Sequence, residues 1–430
     1  MPNAKEIETI MMAAKQGNAE AQKNLGKCYY DGNGVEHNYE KAVEWYKKAA
    51  EQGYAPAINS LGVCYNLGRG VEKNSHKAVE CFAKSAEEGE IKALYNLGIN
   101  LFYGEGVDEN KEKAVELLIK ASESGFAPAL TKLGSCYLFG EGITKNDDLA
   151  VKYLSKAAEQ GHPSGLLILG SCYENGIGVE QDFVHAKECL KKAAAKGSTL
   201  AQLRLGSYYF RGVRVKQNFK KAMEWFRKAA EQGDDGAQNM LGHCYEHGLG
   251  IEQDYETAVK WYEKAAQQGN IFALTSLGVC YEYGCGVHQN SEMAFVWYMK
   301  AAEKGDKVCQ TLVGVCYESG EGISKDYDKA IEWYKKAADQ GYSKAQLNLG
   351  VCYYYGKGVR KNHKTAVKWF RLAAKQGEDD AQFNLAGCYE HGAGVTKNYE
   401  KASEWYAKAA EQGNEDAEEA LRRMIKMQKH

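Results

Sequence analysis

Asn18 to Gly53 reads NAEAQKNLGKCYYDGNGVEHNYEKAVEWYKKAAEQG, and ten further versions of this 36-residue unit follow it end to end. Its marker is the pair Leu25-Gly26. The pair recurs at Leu61-Gly62, Leu97-Gly98, Leu133-Gly134, Leu169-Gly170, Leu205-Gly206, Leu241-Gly242, Leu277-Gly278 and Leu349-Gly350, with Val313-Gly314 and Leu385-Ala386 in the remaining slots. A fixed period in this range, without insertion or deletion, predicts stacked supersecondary units that bury a core only against their neighbours. Such a chain offers an extended surface in place of a central pocket, so its default role is binding.

Within the unit, Ala21, Leu25, Cys28 and Tyr29 follow the i, i+4, i+7, i+8 spacing of a helix stripe. Gly32 ends that helix, and glycine fills its slot in all 11 repeats, as a left-handed C′ position requires. A second glycine follows two residues later, with Arg214 the one exception, and then Val or Ile, which is expected to plug the loop into the core. Asn38 heads an unbroken Asn/Asp column that predicts the N-cap of a second helix. Ala42, Trp45, Tyr46, Ala49 and Ala50 then face inward, and the alanine at slot 42 in every repeat predicts close helix approach. Gly53 closes the unit. Ala4 to Gln16 reads as a lone second helix and Glu415 to Lys429 as a lone first helix, polar caps of the kind a solenoid needs. The predicted organisation is an N-terminal capping helix in 1–17, eleven repeats in 18–413 forming one solenoid, and a C-terminal capping helix in 414–430.

Composition excludes several classes of function. A net charge of -2 carries no basic excess for nucleic acid, and no apolar run approaches the ~20 residues of a membrane span. Met1 to Lys15 lacks the charged start and apolar block of a secretory signal. Nine of the 13 cysteines stand three residues after the leucine slot, where a free thiol behaves as a small apolar residue. An odd count spread along the chain argues against a disulfide framework and for a reducing compartment, the cytoplasm.

Segments such as LGVCYYYGKGV (Leu349 to Val359) and KTAVKWFRLAA (Lys364 to Ala374) make the chain resemble the Sel1-like repeat family, relatives of the tetratricopeptide repeats with a longer loop between helices. The resemblance covers essentially the whole chain. It implies an all-α fold: a right-handed α/α superhelical solenoid of 11 tandem helix-loop-helix repeats with half-repeat helical caps. It also implies a protein-interaction scaffold or adaptor without catalysis or cofactor. One secreted, cysteine-rich branch of the family is linked to β-lactam binding and pairs two cysteines per repeat, a pattern missing here. A hydrolase or β-lactam-binding protein of that kind, and a self-assembling structural solenoid, stand as the alternative functions.

In the related superhelix the first helix of each unit lines the concave face. The matching slots lie five and two residues before the leucine and two, five and six after it. Tyr95, Phe102, Tyr103, Phe139, Phe210, Phe272, Tyr283, Tyr354, Tyr355 and Phe383 fall there, with Ile99, Val279 and Val351. Glu174, Glu246, Glu282, Glu318 and Glu390 are interspersed. The expectation is an aromatic groove for a partner peptide or helix, since large rings suit binding hot spots, with the acids favouring Lys or Arg in the partner. The alternative is that some of these rings pack between first helices. Partners are therefore other proteins, with no nucleic acid and no membrane, and the chain is expected to be a monomer.

The slot of Trp45 is irregular. Repeats 1 and 6 to 11 carry tryptophan, whereas repeats 2 to 5 carry Cys81, Leu117, Tyr153 and Cys189. That marks either a change of curvature or second binding region, or drift in a tolerant slot. His243 and His247 have the i, i+4 spacing that can hold zinc, but Cys244 belongs to the core register and no third ligand is evident, so no metal is assigned. Cys309 and Cys316 are about 10 Å apart along a helix, too far for a disulfide. Cys285, between two loop glycines, is the thiol expected to be exposed and reactive. The glycine loops lack the Lys-Ser/Thr of a phosphate-binding loop.

Overall fold

The computed structural model describes residues 4–428. Among them the regular structure is entirely helical, 24 helices that alternate as first and second helix of each repeat. Contacts divide the chain into two compact units, Met1–Tyr208 and Tyr209–His430. The first holds the helix Ala4–Lys15, repeats 1 to 5 and most of the first helix of repeat 6. The second holds the remaining repeats and the helix Glu415–Gln428. Lys429, the end of the predicted last helix, lies outside the described residues, as do 1–3 of the N-terminal cap and His430.

Each unit is a row of helix hairpins, in which a helix packs against the one before and the one after. In repeat 1 the pair is Ala19–Asp31 and Tyr39–Glu51. Local sequence dictates the ends. Gly32 takes φ 69° and its N–H bonds back to Cys28, satisfying a carbonyl at the helix end. Asn38 caps the second helix by accepting from the Lys41 N–H at 2.8 Å. Its own N–H donates to Tyr29 O at 2.9 Å, which cinches the loop shut. The Asn/Asp column caps all eleven second helices in this way. The Val/Ile after the second glycine is half-buried, with Val107, Ile143 and Ile323 packed against core clusters. Arg214, at φ 63°, is the only non-glycine with positive φ among the described residues.

The alanine column is buried to 3% exposure or less, from Ala42 to Ala402. Four residues beyond it a large side chain is buried, Tyr46, Phe82, Leu118, Leu154 and Leu190 in the first unit and Phe226, Tyr262, Tyr298, Tyr334, Phe370 and Tyr406 in the second. Those opposite Gly26, Gly62, Gly98, Gly134, Gly170, Gly242, Gly278, Gly314 and Gly350 fill the space beside the glycine. A Cβ at Gly26 would stand 2.7 Å from the Tyr46 ring, so glycine there is a packing requirement. The tryptophans are half-buried and not fully inward. In six of the seven, the lysine three residues on lays its ammonium over the indole, as Lys48 does on Trp45 at 4.3 Å. A buried glutamine column adds polar ties between repeats. In the second unit Gln238, Gln310, Gln346 and Gln382 donate at 3.2–3.3 Å to carbonyls near the end of the preceding second helix.

Candidate functional site

The variable first-helix slots converge on a shared face in each unit. In the first unit, Lys23, Lys27, Tyr30 and Asp31 of repeat 1, Pro56, Asn59 and Val63 of repeat 2, and Lys92 of repeat 3 surround a cleft of about 220 Å³. In the second unit, Tyr354 and Tyr355 of repeat 10, Phe383, Gly387 and His391 of repeat 11, and Asp416, Glu419 and Arg423 of the last helix surround one of about 550 Å³. Every one of these residues occupies a slot five or two before the leucine register, or two, five or six after it. Lys23, Lys27 and Lys92 give the first cleft a basic lining that an aromatic reading of these slots passes over. Burial, then the charges of Lys27 and Lys92, lower the Lys23 pKa.

The expected rings fall into three groups. Tyr103, Phe139, Phe272, Tyr283 and Tyr355 are 58–73% exposed, far more than packing of the repeat explains. Tyr95, Phe210, Tyr354 and Phe383 are half-buried. Tyr95 meets Phe126 edge-on at 5.5 Å, Phe210 meets His243 at 5.8 Å, Tyr354 stacks on His363 at 4.7 Å and Phe383 tilts over Tyr406 at 5.6 Å. Phe102, at 3% exposure, corrects the expectation: it is a core residue, packed in one cluster with Leu118 and Leu133. The Lys132 ammonium covers its ring at 3.4 Å.

The reason lies in the slot five after the leucine, which leans toward the residue 16 further on in the second helix. The glutamates in that slot show it. Tyr262 donates to Glu246 at 2.5 Å, Tyr298 to Glu282 at 2.5 Å, Tyr334 to Glu318 at 2.8 Å and Tyr406 to Glu390 at 2.8 Å. Where the second-helix partner cannot donate, three repeats place an apolar side chain in the slot, Phe102 over Leu118, Leu138 over Leu154 and Phe210 over Phe226, while Asn66 faces Phe82 and Tyr354 faces Phe370. Glu174, above Leu190, instead accepts from Tyr208 of the next repeat at 2.6 Å. A buried carboxylate needs donors, and each of these five glutamates has a tyrosine hydroxyl as one. Burial, then the glutamate hydrogen bond, hold the Tyr262 and Tyr298 phenols protonated well above their ordinary range.

The glutamates are therefore not a free acidic surface, which corrects the simple interleaving expected. Glu174 and Glu390 are buried, at 9% and 6% exposure. Arg204 pairs with Glu174 at 2.6 Å, Lys357 with Glu318 at 2.8 Å and Arg423 with Glu390 at 2.7 Å.

His243 and His247 stack on each other at 4.3 Å, and no group of three potential metal ligands gathers among the described residues. All 13 cysteines are free thiols. Burial pushes Cys64, Cys136 and Cys172 up to about 11 and Cys244, Cys280, Cys352 and Cys388 up to about 12. Cys285 is half-buried, not exposed, because its loop lies on the core of repeats 7 to 10. No helix among the described residues is long and apolar enough to cross a membrane.

The model of the Sel1 repeat matches eleven segments, from 19–54 and 55–90 through 343–378 and 379–414. A protective antigen of uropathogenic Escherichia coli strains, solved with an SLR fold, is similar at 36% identity and a TM-score of 0.72; the match covers 98% of this chain and 90% of that one. A Sel1 repeat protein from Oxalobacter formigenes is similar at 33% identity and a TM-score of 0.59, over 72% of this chain and 89% of that one. No curated protein sequence matches. Sel1-type repeat proteins generally mediate protein–protein interaction, and the solenoid is typically a non-enzymatic scaffold. Eleven matched repeats over nearly the full length, with the helix hairpins that they predict, make this chain a member of the Sel1 repeat family.

Proposed function

We propose that this chain is a scaffold or adaptor that holds segments of partner proteins on the face formed by its first helices. The observation that carries the reading is the exposure of Tyr103, Phe139, Phe272, Tyr283 and Tyr355 at 58–73% in slots the repeat does not need for packing. A water-exposed ring is costly surface unless something covers it, and rings rank high among binding hot spots. Tyr95, Phe210, Tyr354 and Phe383 support the same face as half-buried flanks. The chain acts without catalysis, as a monomer, and in a reducing compartment such as the cytoplasm, where thirteen free thiols persist.

The test is capture of partners from host lysate by the intact chain and by a variant with the five exposed rings changed to alanine. Because these side chains are exposed, circular dichroism should show the variant folded. Partners lost from the variant alone support the reading. Partners captured equally by both refute this face as the site.

A further inference from the structure

Five repeats place glutamate in the slot five after the leucine, and three of these carboxylates are filled by a cation of the chain itself. Arg204 meets Glu174 at 2.6 Å, Lys357 meets Glu318 at 2.8 Å, and Arg423 grips both oxygens of Glu390 at 2.7 and 2.9 Å. In each case the cation belongs to the next repeat or the last helix, yet it arrives from a different place. Arg204 stands one residue before the leucine, Lys357 lies between the two loop glycines, and Arg423 stands two after the leucine register. A recurring partner chemistry reached by three routes is a property of the carboxylate site, not of one inherited side chain.

Glu246 and Glu282 are the two that remain. The same three supply positions hold Ser276, Cys285 and Val279 for Glu246, and Leu312, Glu321 and Val315 for Glu282. No Lys or Arg pairs with either carboxylate among the described residues; the one basic side chain there within 4 Å of Glu246 is His247, at 3.8 Å. Each gives its Oε2 to a tyrosine hydroxyl, Tyr262 or Tyr298, and keeps Oε1 for another donor. The surroundings suit a long basic side chain. Tyr283, directly after Glu282, is 68% exposed. Exposed rings take the methylene stem and the charge of Arg or Lys.

We infer that Glu246 and Glu282 are successive receptor sites for basic side chains, and that the partner segment seated on repeats 7 and 8 carries Arg or Lys at two positions. The assignment rests on the first-helix face being the binding face, and it names the partner chemistry there. The partner supplies in trans what Arg204, Lys357 and Arg423 supply in cis.

The probe is a fluorescein-labelled hexa-arginine peptide, titrated with the full chain at low ionic strength and read by anisotropy. Its uncharged hexa-citrulline counterpart is the comparison. The double variant Glu246→Gln/Glu282→Gln should lose roughly tenfold or more in affinity, as desolvated charge pairs do. The control Glu224→Gln/Glu332→Gln changes the net charge equally on exposed second-helix positions and should bind as the parent does. A second variant keeps the carboxylates: Cys285→Lys/Glu321→Lys places lysine in the loop slot of Lys357, fills both sites internally, and should weaken the peptide comparably. Equal loss in the control pair, or equal binding of hexa-citrulline, overturns the assignment. Loss of hexa-arginine on Tyr283→Ala with none on the glutamine pair would leave the aromatic face standing while removing the carboxylates from it.

Discussion

Gly358 and Gly341 both have positive φ, 62° and 81°, yet only one of them meets a neighbouring repeat. A Cβ on Gly341 would find nothing within 4 Å, whereas one on Gly358 would stand 2.7 Å from the Tyr327 carbonyl oxygen and 2.7 Å from its Cβ. Gly341→Ala therefore carries only the left-handed backbone strain, about 1 kcal/mol. Gly358→Ala carries that strain and must also push its loop off the start of the second helix of repeat 9. The carbonyl is backbone and cannot rotate aside, and overpacking of this kind costs about 1–3 kcal/mol. The expected total is about 3 kcal/mol. Lys357, next in the chain, would be drawn from Glu318 in the process; Lys357→Ala alone should cost less than about 1 kcal/mol, because the pair is partly solvated. Urea unfolding, followed by far-ultraviolet circular dichroism and by the fluorescence of Trp333 and Trp369 on either side, reads the difference as a shift in midpoint at constant slope. Equal midpoints for the two alanine variants would refute the argument that the second loop glycine exists to let one repeat seat on the last.

Three further outcomes follow from the packing. Gly350→Ala should destabilise by about 1–2 kcal/mol although alanine is the better helix former, since its Cβ would lie 2.6 Å from the Phe370 ring; a higher melting temperature would contradict this. Burial raises the thiols from near 9 when unfolded to about 11 to 12 when folded, so the folded state holds their protons more tightly. Their contribution is intact below pH 9 and is lost as pH rises from 9 toward 11, by up to about 1.4 kcal/mol per pH unit for each thiol. Melting temperatures across pH 8 to 11 should fall steeply, and a flat profile would contradict burial of the cysteine column. Cys285, half-buried in its loop, should react with a disulfide reagent ahead of the buried thiols, and Cys285→Ser should remove that fast phase.

Much of the fold was legible in the sequence because its determinants are local and repeat eleven times. The glycine that ends each first helix, the Asn/Asp cap and the alanine stripe each act within one hairpin, and repetition separates them from chance. The exposed rings were legible as well: Tyr103, Phe139, Phe272, Tyr283 and Tyr355 stand in slots that vary from repeat to repeat. The tertiary structure alone decided how far each slot turns toward the core. Phe102 and Phe139 both read as first-helix face residues, yet one is 3% and the other 72% exposed, because the slot five after the leucine leans onto the second helix and the next one does not. It alone showed which acids are already answered, since Arg204, Lys357 and Arg423 reach their glutamates across 30 to 39 residues by three routes. Spacing along the chain reports what one helix does to itself. Which carboxylate is left without a cation depends on how the next repeat is seated, and that is a matter of packing.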